Sequence, residues 1–395
     1  MNDTNRGTMN WEVKRIKDFA SLVTEKSTLE NKVALENIEE ASGRFIPTDS
    51  EFDGNGVFFH KGDILYGKLR PYLRKVWLAD KEGNAVGDIF VFRCKRNSCP
   101  EYLKWLFLSE DFTSRCNGST QGAKMPRVDS EFILTLSYGL PPLQEQQRIA
   151  AYLDKQTAAI DSRIALLEQK KDKYLLLRKA IINEAVSPKP GWEQVRLKDI
   201  GTLSSGLSGK SGDDFAQDDD PNNKHFIPFT NIFNNDIIDS KVLGNVVIND
   251  GEEQNKVRKG DLFFLMSSED YAGLGKNALL NDDLEDTYLN SFCKGFRITK
   301  RNVCPEFLNY LLNAHYYRTK LMVEGKGFTR MNLKSDKINT FKVSYPSYDE
   351  QQRIASVLDK KTAQIDAITA KITEEVSKLK VLRKAIINES VQQKQ

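Results

Sequence analysis

Two stretches of the chain carry apolar residues at every seventh position. Leu153, Ile160, Leu167, Tyr174 and Ile181 mark one, and Leu358, Ile365, Ile372, Leu379 and Ile386 mark the other. A seven-residue apolar period held over five repeats predicts a helix that buries one stripe against another helix. The second row of this seam is less regular: Ile164, Leu177, Ile368, Val376 and Leu382 follow the first row by three or four positions. Each stretch begins after proline, at Leu140-Pro141-Pro142-Leu143 and at Pro346-Ser347-Tyr348-Asp349, the latter with an Asp suited to capping. Ser187-Pro188-Lys189-Pro190-Gly191 breaks the first. About 42 residues rising about 1.5 Å each make a rod of roughly 63 Å, and the two rods are expected to pair with each other.

Elsewhere the period shortens. Val57-Phe58-Phe59, Ile89-Phe90-Val91-Phe92, Leu262-Phe263-Phe264 and Phe296-Arg297-Ile298 read as strands, separated by Gly, Asp and Asn turns and interleaved with helical stretches at 101–115 and 306–323. The expected fold class is α+β: two α/β domains in tandem, separated and followed by long helices. The expected boundaries are a first domain at 1–143, with 1–10 as a flexible tail, a helix at 144–187, a second domain at 188–348 and a helix at 349–395.

The chain is an internal duplication. Glu145-Gln146-Gln147-Arg148-Ile149-Ala150 returns as Glu350-Gln351-Gln352-Arg353-Ile354-Ala355, and Leu177-Arg178-Lys179-Ala180-Ile181-Ile182-Asn183-Glu184 returns as Leu382-Arg383-Lys384-Ala385-Ile386-Ile387-Asn388-Glu389. At this offset of 205, 24 of the 42 positions from 145 to 186 are identical without a gap. Arg96-Asn97-Ser98-Cys99-Pro100-Glu101 matches Arg301-Asn302-Val303-Cys304-Pro305-Glu306 at the same offset, and Lys61-Gly62-Asp63 matches Lys259-Gly260-Asp261 at offset 198. The halves hold the helical segment nearly fixed and let the domain before it diverge.

Composition narrows the classes. The 395 residues include 58 Lys+Arg and 55 Asp+Glu, a net charge of +3, with 39% hydrophobic and 29% charged positions. No apolar run approaches the ~20 residues of a membrane span, and the start Met1-Asn2-Asp3-Thr4-Asn5-Arg6 is unlike a signal peptide, so a cytoplasmic protein without membrane contact is expected. Five cysteines, without a Cys-x-x-Cys pair, argue against a disulfide framework or zinc site. The balanced charge does not by itself suggest a nucleic-acid binder.

Catalytic chemistry is hard to find. His60, His225 and His315 are scattered without spaced partners. Ser205-Gly206-Leu207-Ser208-Gly209-Lys210-Ser211 approaches a phosphate loop, but its leading glycine would fall at Ser204, and Asp213, Asp214 and Asp218-Asp219-Asp220 follow where phosphate would be repelled. Neither an amino-methyltransferase tetrapeptide nor a Pro-Asp nuclease start occurs. No catalytic residue, metal site or cofactor is expected in this chain. Basic, aromatic-interleaved segments offer a different chemistry. In Lys61 to Lys75, five cations stand against one anion, and Lys68, Arg70, Tyr72, Arg74 and Lys75 are candidates for phosphate or base contacts, Arg70 and Arg74 as guanidinium forks. The competing reading is a solvated strand and turn with Tyr66 and Tyr72 in the core. Lys124 and Arg127 in Gln121-Gly122-Ala123-Lys124-Met125-Pro126-Arg127 extend the set, with Lys276, Lys326, Thr329 and Arg330 in the second half; a plain connector is the alternative for these loops.

Domain, long helix, domain, long helix is an order that resembles the specificity subunit of type I restriction-modification systems. The resemblance spans the chain and is sharpest at Leu140-Pro141-Pro142-Leu143-Gln144-Glu145-Gln146-Gln147-Arg148-Ile149, at Gly62-Asp63-Ile64-Leu65 with Lys68-Leu69-Arg70-Pro71-Tyr72-Leu73-Arg74-Lys75, and at Leu197-Lys198-Asp199-Ile200. Phe264-Leu265-Met266-Ser267-Ser268 departs from it where the first half has Arg-Pro-Tyr. The resemblance implies two target recognition domains, each reading half of a bipartite site in double-stranded DNA, and long helices paired as an antiparallel coiled coil that serves as spacer. It also implies two methyltransferase subunits using S-adenosylmethionine, and restriction subunits using ATP and Mg. Polar residues repeated in both helices, Gln146, Gln147, Arg148, Arg178, Lys179 and Glu184 with Gln351, Gln352, Arg353, Arg383, Lys384 and Glu389, are candidates for docking two copies of one partner, unless the duplication simply has not diverged there. The rival readings are a coiled-coil scaffold whose domains bind proteins and an enzyme with an unrecognised site.

Overall fold

The computed structural model of the chain describes residues 11–392 except 29, 50, 51, 53, 121, 123, 216–221, 270–272 and 328. The expected tail at 1–10 lies outside the described residues, as do Gln121, Ala123 and Asp218-Asp219-Asp220. Both heptad stretches are helices of 44 residues, the central helix Leu143–Val186 and the C-terminal helix Tyr348–Val391. Two compact units result: residues 1–169 with 372–395, and residues 170–371. Each unit joins one domain to parts of both helices.

In the first unit, an antiparallel sheet runs in the order Ala20–Val23, Ile89–Cys94, Ile64–Gly67, Val76–Leu78. Ile64 lies opposite Phe92 and Leu65 opposite Val91. Alternation sends Ile64 and Tyr66 into one core with Phe92 and with Leu103 and Phe107 of the helix Pro100–Leu108. Leu65 enters a second core with Phe59, Trp77 and Val91. A strand covered on both faces needs no polar positions, which is why it reads as an unbroken apolar run. The second unit repeats the plan: the order is Gly201–Ser205, Cys293–Ile298, Leu262–Leu265, Asn277–Leu279, with Leu262 opposite Phe296. Leu262 and Phe264 pack toward the helix Pro305–Asn313, and Phe263 and Leu265 pack the other way.

Several repeated motifs close the fold. Gly62 and Gly260 sit at φ +92° and +88°, a conformation that favours glycine. The adjacent Asp63 accepts the His60 N–H at 2.8 Å and takes the Arg93 guanidinium on both oxygens at 2.8 and 2.6 Å. Asp261 does the same with the Arg258 N–H and Arg297.

Gln146 and Gln351 are fully buried, which corrects their expected role in docking. The Gln146 side chain accepts the Cys99 N–H at 2.8 Å and donates to the carbonyls of Asn97 and Pro141 at 3.2 and 2.8 Å. Gln351 repeats this with Cys304, Asn302 and Pro346. Each glutamine pins the start of a long helix to the domain before it, and this accounts for its repetition together with Arg-Asn-x-Cys-Pro.

Within each unit the helix segments run antiparallel. Asp161 pairs with Arg383 and Glu168 with Lys380 in the first unit. In the second, Arg178 pairs with Asp366 while Ile182 and Val186 share a core with Ile354 and Leu358. The expected first row of the seam is buried or half-buried throughout, from Leu153 to Ile386. The second row differs from expectation. It runs through Thr157, Ile164, Lys171 and Arg178, and through Thr362, Thr369, Val376 and Arg383, while Leu177 and Leu382 are 46% and 47% exposed. The threonines are admissible because Thr157 donates to the Leu153 carbonyl at 2.7 Å and Thr362 to that of Asp359 at 3.3 Å. All five cysteines are unpaired, and burial pushes the thiols of Cys116 and Cys293 up to about 12, leaving them protonated at neutral pH.

Candidate nucleic-acid interface

The structure brings the two basic segments of the first domain together. Arg70, in the left-handed region at φ +51°, donates its backbone N–H to the Pro126 carbonyl at 2.8 Å, and Val128 donates to the Lys68 carbonyl at 3.1 Å. Asp88 lies beneath this junction. It takes Arg127 on both oxygens at 3.1 and 2.9 Å and has Lys68 at 3.6 Å. Hydrogen bonds from Arg127, reinforced by its charge and that of Lys68, hold the Asp88 carboxyl below the usual carboxylate range. Arg70 and Lys124 are exposed, and among the described residues neither side chain has an ion pair or hydrogen bond. Tyr72 is 50% exposed, so the core placement considered for it does not apply, whereas Tyr66 is buried.

Arg74 and Lys75 depart from this surface, a correction to the basic stretch as a single face. Lys75 donates to the Leu35 carbonyl at 2.8 Å. Arg74 lines a cavity of about 490 Å³ beside Asp161 and Arg383, and burial lowers its pKa with Arg383 adding repulsion.

In the second domain the same junction recurs with different side chains. Ser267–Ser268 pairs with Met331–Asn332, and Leu333 donates to the Met266 carbonyl at 2.8 Å as Val128 does to Lys68. Met266 donates to the Phe292 carbonyl at 3.3 Å as Lys68 does to that of Asp88 at 2.9 Å. Met266, Phe292 and Asn332 therefore stand where the first domain has Lys68, Asp88 and Arg127. Lys326, Thr329 and Arg330 are exposed on the connecting turn. Gly327 is required in it, because a Cβ there would meet the Arg330 carbonyl oxygen at 2.0 Å. Arg330 lies over the Phe292 ring at 5.7 Å and 3.7 Å from Glu269. Lys276 does not join them: its ammonium donates to the Phe233 carbonyl at 2.6 Å and burial lowers its pKa.

Asp88, Phe292 and Asn332 were not singled out by sequence. The equivalence of Asp88 and Phe292 appears only when the halves are compared at offset 204 around Phe92 and Phe296, a shift the gaps conceal, whereas Asn332 falls opposite Arg127 at the offset of 205. Lys210, in the phosphate-loop-like segment, is spent on Glu252 at 2.6 Å and Asp214 at 3.7 Å, and a single turn, Gly212–Asp214, follows it.

On the long helices, Arg383 reaches Asp161 and the Ala41 carbonyl at 2.9 Å, and Arg178 reaches Asp366 and Asp236 at 3.0 and 3.5 Å. Both fasten a helix to its own unit, so their repetition also has an internal cause. Gln147, Arg148, Lys179, Glu184, Gln352, Arg353, Lys384 and Glu389 are exposed. Arg148 and Arg353 are held in matching poses by Glu145 at 2.5 Å and Glu350 at 2.6 Å.

Residues 9–173 and 189–378 match the family model of the type I restriction modification DNA specificity domain. The type I restriction enzyme MjaVIII specificity subunit of Methanocaldococcus jannaschii is 23% identical over 94% of this chain and 90% of that protein. The StySPI specificity subunit of Salmonella potsdam is 26% identical over 51% of this chain, a match spanning 42% of that subunit's length. Among solved structures, a chain from work on complex assembly and conformational transition of the type I R-M system superposes with TM-score 0.81 at 21% identity, covering 97% of this chain and 98% of that one. The HsdS subunit from Thermoanaerobacter tengcongensis gives TM-score 0.60 at 20% identity, covering 99% and 98%.

Proposed function

Since the chain belongs to the family of type I restriction modification DNA specificity domains, we propose that it is the DNA-reading subunit of such a system, each of its two domains reading one half of a bipartite site. The observation that carries this is the repeated junction: in each domain two chain segments meet and present an exposed arginine, Arg70 or Arg330, that is not locked into the core. Guanidinium and amide groups held on a backbone-paired platform are suited to base edges and phosphates.

The paired helices serve as spacer, and their repeated exposed residues, from Gln147 to Glu389, dock two methyltransferase subunits in like manner. Restriction subunits complete the assembly in the cytoplasm. Chemistry belongs to those partners, with S-adenosylmethionine, ATP and Mg bound there; the one phosphate-loop-like lysine of this chain is already paired with carboxylates. No helix of the described residues is long and apolar enough to cross a membrane.

Sequencing the methylome of cells that carry this chain with its methyltransferase tests the reading. A bipartite methyladenine motif that disappears on removal of residues 188–348 is expected. An unchanged methylome overturns it.

A further inference from the structure

At the junction of the second domain, exchange of Lys68 and Asp88 for Met266 and Phe292 replaces an ionic floor by an apolar one. Beside it lies a pocket of about 340 Å³ lined by Phe229, Phe233, Phe292, Ser267, Glu269 and Arg330. Its aromatic rim is open to solvent, with Phe292 55% and Phe233 38% exposed, and the rings of Phe229 and Phe233 lie stacked at 6.1 Å. Large apolar side chains this exposed on a domain with buried cores call for an occupant. Arg330 brings a cation to the rim, 5.7 Å above Phe292, and its neighbour Glu269, 3.7 Å away on an 84% exposed side chain, is a partner that a phosphate would displace.

Apolar walls with a cation beside them match one base edge in particular. In the major groove only thymine presents a methyl group, next to the O4 acceptor and flanked by backbone phosphate. Guanine, adenine and cytosine have no methyl group there to fill the pocket, and the Phe walls would strip the guanine N7 and O6, the adenine N7 and N6 or the cytosine N4 of water without replacement.

The geometry points to this pocket as a thymine-reading site: the second half-site contains a thymine whose 5-methyl group is received by Phe233 and Phe292, with Arg330 on the adjoining phosphate. This rests on the proposed DNA reading. It makes the two domains unlike in kind, the first reading through Arg70 over an ionic base and the second through an apolar socket.

Thymine-to-uracil exchange removes only that methyl group. With the full chain assembled with its methyltransferase subunits, binding is measured by fluorescence anisotropy on duplexes carrying uracil at each thymine of the second half-site in turn. One position is expected to weaken binding about threefold to fivefold, the effect of one buried methyl, and Phe292→Ala is expected to bind uracil and thymine duplexes alike. If every uracil duplex binds the wild-type complex as the thymine duplex does while half-site selectivity persists, the socket is overturned and the DNA reading stands. Absence of any selective binding overturns both. Loss of methyltransferase subunits from Phe292→Ala, with no uracil effect in the wild type, assigns the pocket to a protein and overturns the proposal. Should Phe292→Ala fail to fold, the uracil scan on the wild-type complex decides alone.

Discussion

Neighbouring residues with the same sequence credentials have opposite duties in this protein, and substitutions separate them. Gln146 and Gln147 are both repeated at offset 205, yet one is fully buried and the other exposed. Gln146→Ala leaves the Cys99 N–H and two carbonyls without partners, at about 1–3 kcal/mol for a stranded buried group; urea unfolding should show a loss of that order, and Gln351→Ala the same. Gln147→Ala should stay within about 0.5 kcal/mol, and its effect should appear instead in co-purification of the methyltransferase subunit. Arg70 and Arg74 form a similar pair. Arg70→Ala is expected to relax one half-site by about 1–3 kcal/mol in competition binding without moving the unfolding midpoint, whereas Arg74→Ala should leave base preference intact. Asp88 adds a pH dependence. Its folded pKa is lowered, so its contribution is present above the ordinary carboxylate value and lost as pH falls through the lowered one. Protection factors of the Arg127 and Val128 amides should therefore be unaffected by Asp88 titration from pH 8 to about 5 and should fall only in stronger acid.

Among the elements, the long helices show where periodicity informs and where it misleads. The first row of the seam was legible, since a side chain at every seventh position faces one way whatever its partner. The second row was legible only in part, at Ile164 and Val376, because Thr157, Lys171 and Arg178 do not look like core residues, while Leu177 looks like one and is exposed. Hydrogen bonding back to the helix lets threonine occupy a buried row, and long cationic side chains lay their stems along it. Leu153→Ala or Leu358→Ala should cost about 2–5 kcal/mol, and Leu177→Ala or Leu382→Ala less than about 0.5 kcal/mol, in denaturant titrations. Strands such as Ile64–Gly67 were legible as apolar runs. The meeting of residues 68–70 with 126–128 was not, for it is made by backbone groups that any side chains could carry. What each domain presents there is set by Asp88 or Phe292, residues without a motif of their own.

For the whole molecule, the near-balance of charge that spoke weakly against DNA is reached locally by pairing: Asp88 neutralises Lys68 and Arg127, Glu252 neutralises Lys210 and Glu269 stands beside Arg330, so that among the described junction arginines Arg70 alone has no ion pair. Helices acting as spacer can be lengthened by one heptad each, about 10.5 Å, without disturbing either row of the seam. Methylome sequencing of that variant should find the same half-sites separated by about three more base pairs, at 3.4 Å each; an unchanged interval would sink the spacer role. The first unit, finally, is assembled from both ends of the chain, for Ile387 and Val391 lie in one core with Ile16, Tyr102 and Leu153. During synthesis, then, the domain translated first is the last to be completed: it waits with an open flank on the ribosome until nearly every other residue has been made. The second domain, whose segments are contiguous, can close before it.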